Sequence, residues 1–233
     1  VLWRGDSYQA YSPVDDYIIL RPGEAFFVQR PIDVEQMKFG VEGRMHRAAA
    51  LAANGTPIYK APAAESKLGS NRSVFNFVVE GNGNDDRTRI VINEEATMDY
   101  NTNTDASKFF AETCKGTEIF VSGDVCYDIC ERPLADGTAV IGLRTAQEGS
   151  YALSLNGRNM EGWTVVLTDT ETGRSVVLND APYHFEAKAG NTPARFQVSF
   201  KHNETTGIEE AISADAHVSV YNTAGVKIYV RRI

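Results

Sequence analysis

The sequence predicts an all-β fold with little helix, built as an antiparallel β-sandwich or jelly roll in one domain or in two packed β domains. Three observations support this class. Short runs of β-branched and aromatic residues recur along the chain, Gly, Asn and Asp separate them, and helical periodicity is weak. Runs of about five or six residues at such spacing are typical of sandwiches and jelly rolls.

Each strand candidate is a run of β-forming residues bounded by turn residues. Arg195–Phe200 alternates polar and apolar residues throughout, as a strand with one buried face should. Asp136-Gly137 and Thr172-Gly173 supply the positive-φ position that tight hairpin turns need. In chain order the candidates are Tyr17–Leu20, Ala25–Gln29, Gln36–Val41, Val74–Glu80, Arg87–Asn93, Glu118–Ser122, Val125–Cys130, Thr138–Arg144, Ser150–Leu155, Gly162–Thr168, Ser175–Leu178, Tyr183–Ala187, Arg195–Phe200, His217–Tyr221 and Val226–Val230.

Two segments carry weak helix signals. Arg44–Ala53 is rich in Ala, but it leads into an Asn-Gly-Thr-Pro run that would stop a helix. Asp105–Glu112 is expected to form one or two helical turns, with Thr104 or Asp105 as the N-cap.

The order of these elements suggests five regions. Residues 1–45 form an N-terminal β segment, 46–72 an irregular connection and 73–200 the main β-sandwich. Residues 201–215 form a polar linker, and 216–233 form a partial C-terminal hairpin. Because the chain starts on Val-Leu-Trp and stops in mid-hairpin, we interpret it as a piece of a longer secreted protein. The sequence leaves open whether the first and third regions share one core.

Charge and hydropathy argue against two classes of partner. The formal net charge of −8 is unfavourable for nucleic acid, because phosphate binding needs a basic face. No run approaches the ~18–20 apolar residues that a membrane helix needs, so we expect no membrane insertion.

The three cysteines, Cys114, Cys126 and Cys130, are too few for a disulfide framework. Cys126 and Cys130 lie on one predicted strand, roughly 13 Å apart, so they cannot bridge each other. Three inert, buried thiols are the favoured interpretation, and a bond from Cys114 to one of the others across strands is the alternative. Zinc is disfavoured, since only one Cys pair is available and no His lies near it.

The sequence contains no recognisable catalytic constellation, and we expect that the chain is not an enzyme. Its four histidines are scattered, and none lies in an H-E-x-x-H motif or near a G-x-S-x-G nucleophile elbow. Carboxylate pairs carry no information, because 31 acidic residues make some pairing inevitable. A hydrolase, or an accessory domain of one, is a disfavoured alternative.

Asp99, Asn101, Asn103 and Asp105 place oxygen-bearing side chains at every second position. This spacing matches the first, third, fifth and seventh positions of a calcium loop. The sixth and twelfth positions, however, carry Thr and Phe instead of Gly and Glu. Calcium is therefore one hypothesis for this segment. The favoured alternative is an Asx-rich turn that caps the following helical turn.

Aromatic residues raise a second binding hypothesis. Most of them fall on the inward phase of predicted strands and are expected in the core. Trp163 and Tyr151 are the two to test for exposure, because an exposed aromatic pair on a sheet face would favour glycan binding.

Two segments contain motifs that are associated with binding, but an ordinary turn or loop explains each of them. Arg4–Ser7 contains the integrin-recognition tripeptide Arg-Gly-Asp, but an ordinary turn between Trp3 and Tyr8 is the favoured interpretation. The acidic, Gly-rich run Glu80–Asp86 is expected to be a flexible hairpin loop, since clustered carboxylates oppose phosphate binding.

Three segments, beginning at Leu2, Asp105 and Tyr183, together resemble surface and secreted proteins of Bacteroidetes. Trp3–Tyr8 is similar to a W-x-G-x-x-Y hairpin of that family, and Pro22–Val28 to the P-G-[EQ]-[AG]-F-F-V strand that follows it. Asp105–Lys108 resembles the D-A-x-K element. Asp128–Pro133 resembles the strand end a-I-N-x-R-P, with Cys130 in place of the usual Asn.

The resemblance continues to the C-terminal end. Tyr183–Ala187 and Arg195–Phe200 are similar to the close of these modules, Y-x-F-x-A and R-F-x-L-x-F. Val218–Val226 resembles the opening V-Y-N-x-x-G hairpin of a C-terminal sorting domain of the type IX secretion kind.

This resemblance implies a β module at the outer cell surface or outside the cell, near the C-terminus of a larger protein. Its implied role is structural and non-catalytic: it presents or stabilises upstream domains of the same polypeptide, which would be its main partners. The alternative is an adhesin-like module that binds a glycan or a host or cell-surface protein. No cofactor is implied beyond the calcium hypothesis.

Overall fold

The computed structural model describes residues 1–12, 15, 18, 20, 23–29, 71–135, 137–203, 220–221 and 227–228. Three predictions fall outside these residues: the strand Gln36–Val41, the helix Arg44–Ala53 and the turn residue Asp136. Almost all of the expected irregular connection, 46–72, lies outside them as well.

The described residues form β-strands and no helix, which confirms the all-β class. The strands are β1 (Leu2–Trp3), β2 (Tyr8–Gln9), β3 (Ser73–Gly81), β4 (Asn84–Ile92), β5 (Ala106–Ser107), β6 (Thr117–Ser122), β7 (Cys126–Arg132), β8 (Thr138–Thr145), β9 (Gly149–Arg158), β10 (Trp163–Asp169), β11 (Ser175–Val177), β12 (Tyr183–Ala187), β13 (Gly190–His202), β14 (Val220–Tyr221) and β15 (Lys227–Ile228).

One large sheet contains eleven of these strands. Its order is β11-β10-β13-β8-β6-β7-β4-β3-β9-β12, and β5 pairs with β7 outside that path. Neighbours are antiparallel except β4 and β7, which run parallel with Ile90 opposite Cys130. This parallel pair is an exception to the antiparallel pairing that the sequence predicts. The long connection from residue 93 to residue 125 provides the crossover that parallel neighbours require.

The large sheet curls around its own hydrophobic core and is nearly closed. Phe75 on β3 and Phe200 on β13 lie five strands apart in the sheet order, yet their ring centroids are 5.0 Å apart. Phe185, on the terminal strand β12, likewise contacts Phe196 on β13 at 5.0 Å. All four rings are buried, so both halves of the sheet contribute to one interior.

The predicted helical turns at Asp105–Glu112 are wrong. Ala106 and Ser107 form β5, and the backbone N–H of Lys108 donates to the carbonyl of Cys126 at 2.8 Å. Pairing with β7 thus satisfies the backbone groups that a helix would have used. By contrast, the hairpin turn at Thr172-Gly173 is confirmed, with Gly173 at a φ of 70°.

The N-terminal residues pack on the large sheet. β1 and β2 form a hairpin, and Leu2 also forms an isolated β-bridge with Phe26. The strand expected at Ala25–Gln29 is reduced to this bridge and to the hydrogen bonds between Val1 and Phe27. Arg87 on β4 donates to the carbonyl oxygen of Ala10 at 2.9 Å. Contacts group Val1–Asn203 into one compact unit, so the described part of the N-terminal segment and the large sheet belong together.

The C-terminal residues Glu204–Ile233 form a second unit. Within it, β14 and β15 pair antiparallel, with Val220 opposite Ile228. In the first unit, β13 continues to His202 and so enters the segment 201–215 that was expected to be a linker. Within the described part of the chain, no helix has the length and apolar character needed to cross a membrane.

Candidate functional site

The most unusual site in the molecule is a buried ion cluster made of Asp86, Lys108 and Asp128. The Nζ atom of Lys108 lies 2.6 Å from Oδ2 of Asp86 and 3.0 Å from Oδ1 of Asp128. The three side chains are 0%, 1% and 3% exposed, in the order Lys108, Asp86, Asp128. Charged side chains are rarely buried this completely unless they are paired, and here the pairing depends on the tertiary fold.

The sheet brings these three residues together. Asp86 shares a face of β4 with Thr88 and Ile90, because alternate residues of a strand point to the same side. Asp128 lies on β7, which pairs with β4, and Lys108 directly follows β5, which pairs with β7. β7 therefore lies between β4, which carries Asp86, and β5, which Lys108 directly follows.

The N-terminal segment covers the cluster. The hydroxyl of Ser7 donates to Oδ1 of Asp86 at 3.3 Å, and the backbone N–H of Ala10 donates to Oδ2 of Asp128. Lys108 also donates to the carbonyl oxygen of Tyr8 at 3.1 Å. These contacts replace the hydrogen bonds to water that the charged groups lose on burial.

Burial and mutual charge shift the acid–base properties of the cluster. Burial raises the pKa of Asp86 to about 7, against the opposing effect of the Lys108 ammonium. Burial also raises the pKa of Asp128. Burial lowers the pKa of Lys108, but the charges of Asp128 and Asp86 outweigh this and leave that pKa above its ordinary value. Two carboxylates around one ammonium carry excess negative charge, which a proton on Asp86 relieves.

Sequence reasoning missed this cluster. Asp86 was assigned to a flexible loop, whereas the turn of that hairpin is confined to Asn82-Gly83 and Asp86 lies within β4. Lys108 was noted only as part of the D-A-x-K resemblance. The available signal was weak: a lysine between Ser107 and Phe109 in a β-rich chain shows nothing of partners about twenty residues away.

The segment 99–105 is an Asx-rich turn whose last residue faces the protein. Asn101 accepts the backbone N–H of Asn103 through its side-chain oxygen at 3.0 Å. Asp105 is buried: its Oδ1 accepts the Glu131 N–H at 2.8 Å, and its Oδ2 accepts Nη1 of Arg132 at 2.9 Å. The backbone N–H of Asn101 also donates to that Oδ2 at 2.9 Å.

These contacts bear on the calcium hypothesis. Asp99, Asn101 and Asn103 are exposed, whereas both carboxylate oxygens of Asp105 face internal donors. The carboxylate of Asp105 is thus already engaged by the protein's own donors. Among the residues that the structure describes, no group of three or more His, Cys, Asp or Glu side chains could hold a metal ion.

The aromatic pair proposed for sugar stacking is not exposed. Tyr151 is 2% exposed, and its hydroxyl donates to the carbonyl of Gln147 at 2.6 Å. Trp163 is half-buried, and its ring packs against Phe75 and His202. Tyr151 is thus a core residue, since the inward phase of β9 places its ring beside Phe185.

A different group of aromatic residues is exposed. We call Trp3, Tyr8, Phe27 and Phe109 the N-terminal aromatic patch. Tyr8 lies 4.8 Å from Trp3 and 6.1 Å from Phe109, and Phe27 lies 5.3 Å from Phe109, all between ring centroids. Phe27 is 55% exposed, Phe109 40% and Trp3 38%. Sequence reasoning missed this patch because its members come from three separate segments.

The Arg-Gly-Asp tripeptide lies in the turn of the β1–β2 hairpin. The N–H of Arg4 donates to the carbonyl of Ser7 at 2.8 Å, and Gly5 has a φ of 112°. Gly suits this position because L-residues with a side chain rarely adopt such a φ. Arg4 is exposed and Asp6 is half-buried, so the hairpin alone accounts for these residue types.

All three cysteines are free thiols, so the alternative of a disulfide from Cys114 is wrong. Burial raises the pKa of Cys130 to about 12, which makes it a poor nucleophile at neutral pH. Cys114 and Cys126 are half-buried, and burial raises the pKa of each.

A cleft of about 590 Å³ is lined by three carboxylates, those of Glu148, Glu171 and Glu186. Glu171 is paired with Arg195, and Glu186 accepts the hydroxyl of Ser150. No histidine or cysteine belongs to the described lining of this cleft. An acid–base pair with separated roles is therefore not evident there.

We predict that Asp105 is a structural residue of the turn. Asp105→Asn should lower the free energy of unfolding by about 3 kcal/mol, because it leaves the buried Arg132 without its counter-ion. The matched change Asp99→Asn, at an exposed position, should alter it by less than about 0.5 kcal/mol. Urea denaturation measures both. If calcium binds instead, EDTA should lower the Tm of the wild-type chain, and Asp99→Asn should abolish that effect.

Comparisons with known proteins give a family but no activity. Residues 5–200 match the family described as "Domain of unknown function (DUF8693)". No curated protein matches the chain, and no solved structure does. The matched range contains the β1–β2 turn, the ion cluster and the entire hydrophobic core up to Phe200. The chain belongs to the DUF8693 family.

Proposed function

We propose that this chain is a non-catalytic β module with a structural role in a larger secreted or cell-surface protein. The observation that carries the proposal is the ion cluster. Its three ionisable groups are at most 3% exposed, and their hydrogen bonds go to each other, to the hydroxyl of Ser7 and to the backbone at Tyr8, Ala10 and Ile119. A substrate could not reach these groups without opening the fold, so they serve the fold itself.

The sequence resemblance to Bacteroidetes surface proteins supports the location. In such a module the upstream domains of the same polypeptide are the principal partners, and the sorting-like hairpin at 216–233 connects the module to export. Buried ion pairs and a continuous sheet suit a module that holds other domains apart. Local unfolding of such a module requires many contacts to break at once.

The location is tested by antibody labelling of source cells. Antibodies raised against the purified 233-residue chain should label intact cells, or detect the protein in the medium, without permeabilisation. A known cytoplasmic antigen, probed in parallel, controls for leaky cells. Labelling that requires permeabilisation, with none of the protein in the medium, contradicts the proposal.

A second candidate function is glycan binding, and the N-terminal aromatic patch favours it. Exposed aromatic rings provide flat apolar faces of the kind on which sugar rings stack. Three of the four rings of the patch are more than a third exposed. On this view the binding surface is the patch, and neither Tyr151 nor Trp163 is part of it.

A glycan-array screen, run with and without calcium, tests the second candidate. If the patch binds a glycan, binding should persist in EDTA, and Phe27→Ala should weaken it at least tenfold, because Phe27 is the most exposed ring. Phe110→Ala is the control, since that ring packs against Phe120 instead of the patch. No binding, or equal losses in both variants, removes this candidate.

A further inference from the structure

The ion cluster holds the three groups needed for a covalent reaction. Lys108 supplies an amine, Asp86 a carboxyl group 2.6 Å from it, and Asp128 a second carboxyl group 3.0 Å from the same nitrogen. Lys108 is also the only buried lysine among those whose side chains the structure describes. A salt bridge alone needs one carboxylate; here the amine lies against two, both out of water.

We propose that Lys108 and Asp86 condense to an intramolecular isopeptide bond, with Asp128 transferring the protons. This inference goes beyond the proposed function, because it assigns a covalent self-modification to the chain. The bond would join β4 directly to the residue that follows β5, across the sheet position occupied by β7.

The contacts assign Asp86 as the acceptor of the amine. Its Oδ2 accepts the backbone N–H of Ile119 at 2.8 Å, which stabilises the negative charge that develops on this oxygen when the nitrogen attacks Cγ. Its Oδ1 faces the hydroxyl of Ser7 and becomes the leaving oxygen. Asp128 is held by the Ala10 N–H, with its other oxygen on Nζ, and so is placed to take a proton from the nitrogen.

The steps balance without another reactant. One proton passes from the Lys108 ammonium to Asp86, which leaves a neutral amine beside a carboxylic acid. The amine nitrogen attacks Cγ to form the N–C bond, and the carboxylate of Asp128 removes a proton from that nitrogen. The Cγ–Oδ1 bond then breaks, and Asp128 returns the proton to the departing hydroxyl group. The products are one amide, one water and an ionised Asp128.

The surroundings favour both the approach and the product. A fixed amine and carboxyl group react as though at very high concentration, because no translational freedom has to be lost. The raised pKa of Asp86 favours the neutral acid that the attack requires, whereas the raised pKa of Lys108 opposes loss of its proton, so the proton must pass directly between the paired groups. The product replaces the buried Lys108–Asp86 ion pair with a neutral amide, and Asp128 keeps the hydrogen bond from the Ala10 N–H.

Intact mass spectrometry of the denatured, reduced chain tests the proposal. We expect the wild-type chain to be lighter than its sequence mass by one water, about 18 Da. Lys108→Arg keeps the positive charge but lacks the amine, so it should have the full sequence mass. Asp86→Asn should lose ammonia, about 17 Da, in place of water, since the same attack then expels a different group. A wild-type chain with its full sequence mass overturns the proposal, whatever the variants do.

A peptide map locates the bond. A cyclic imide at the Asp136-Gly137 sequence would also remove one water, so the missing mass must be traced to a residue pair. In the wild type, trypsin should fail to cleave after Lys108, and one branched peptide should contain both Lys108 and Asp86. Cleavage after the exposed Lys115 is the internal control. Complete cleavage after Lys108, in wild-type chain that was folded before it was denatured and digested, contradicts the bond.

Discussion

The burial of Lys108 between Asp86 and Asp128 as the chain folds is the constraint on which much of this structure depends. A lysine without a counter-ion inside a protein costs several kcal/mol, so Lys108 can be buried only if carboxylates are brought to it. They come from β4 and β7, and the covering carbonyl comes from the N-terminal hairpin. One side chain thus specifies the relative position of three parts of the chain that are distant in sequence.

The sheet topology satisfies that constraint. β4 and β7 are parallel neighbours, and the connection between them carries β5 and β6, which also pair with β7. This arrangement puts Asp86, Lys108 and Asp128 on one side of the sheet beneath residues 7–10. On the other half of the molecule, Arg195 contacts Asp169 at 3.0 Å with both side chains almost fully buried. Buried ion pairs therefore stabilise both halves of the curled sheet, and aliphatic and aromatic side chains together form its core.

Most of the strands of the large sheet could be predicted from the sequence, because each depends on local alternation and turn residues. Tyr183–Ala187 was predicted with the bounds that the structure has, and Arg195–Phe200 lies inside the longer β13. The failure at Asp105–Glu112 has a non-local cause: pairing with β7 overrides a weak helical preference. The parallel pair could not be predicted either, since strand order is set by packing and not by any one strand's pattern.

The candidate site depends even more on the fold. The partners of Lys108 lie about twenty residues away on two different strands, and no spacing rule connects them. The N-terminal aromatic patch likewise combines Tyr8, Phe27 and Phe109, and their sequence neighbours give no sign that they meet. Local pattern did predict the Asx-rich turn, because hydrogen bonds within a few residues determine its shape, but the helical turn that it was expected to cap is the strand β5.

Native-state hydrogen exchange tests most directly whether the ion cluster fixes the N-terminal segment to the sheet. The two amides to follow are those of Ala10 and Ile119, which donate to Asp128 and Asp86. If the account is correct, both exchange only when the whole unit unfolds, as slowly as the amide of Phe77 in the middle of β3. Exchange at Ala10 that is fast, while Phe77 stays protected, would show that the N-terminal segment opens independently and would contradict the account.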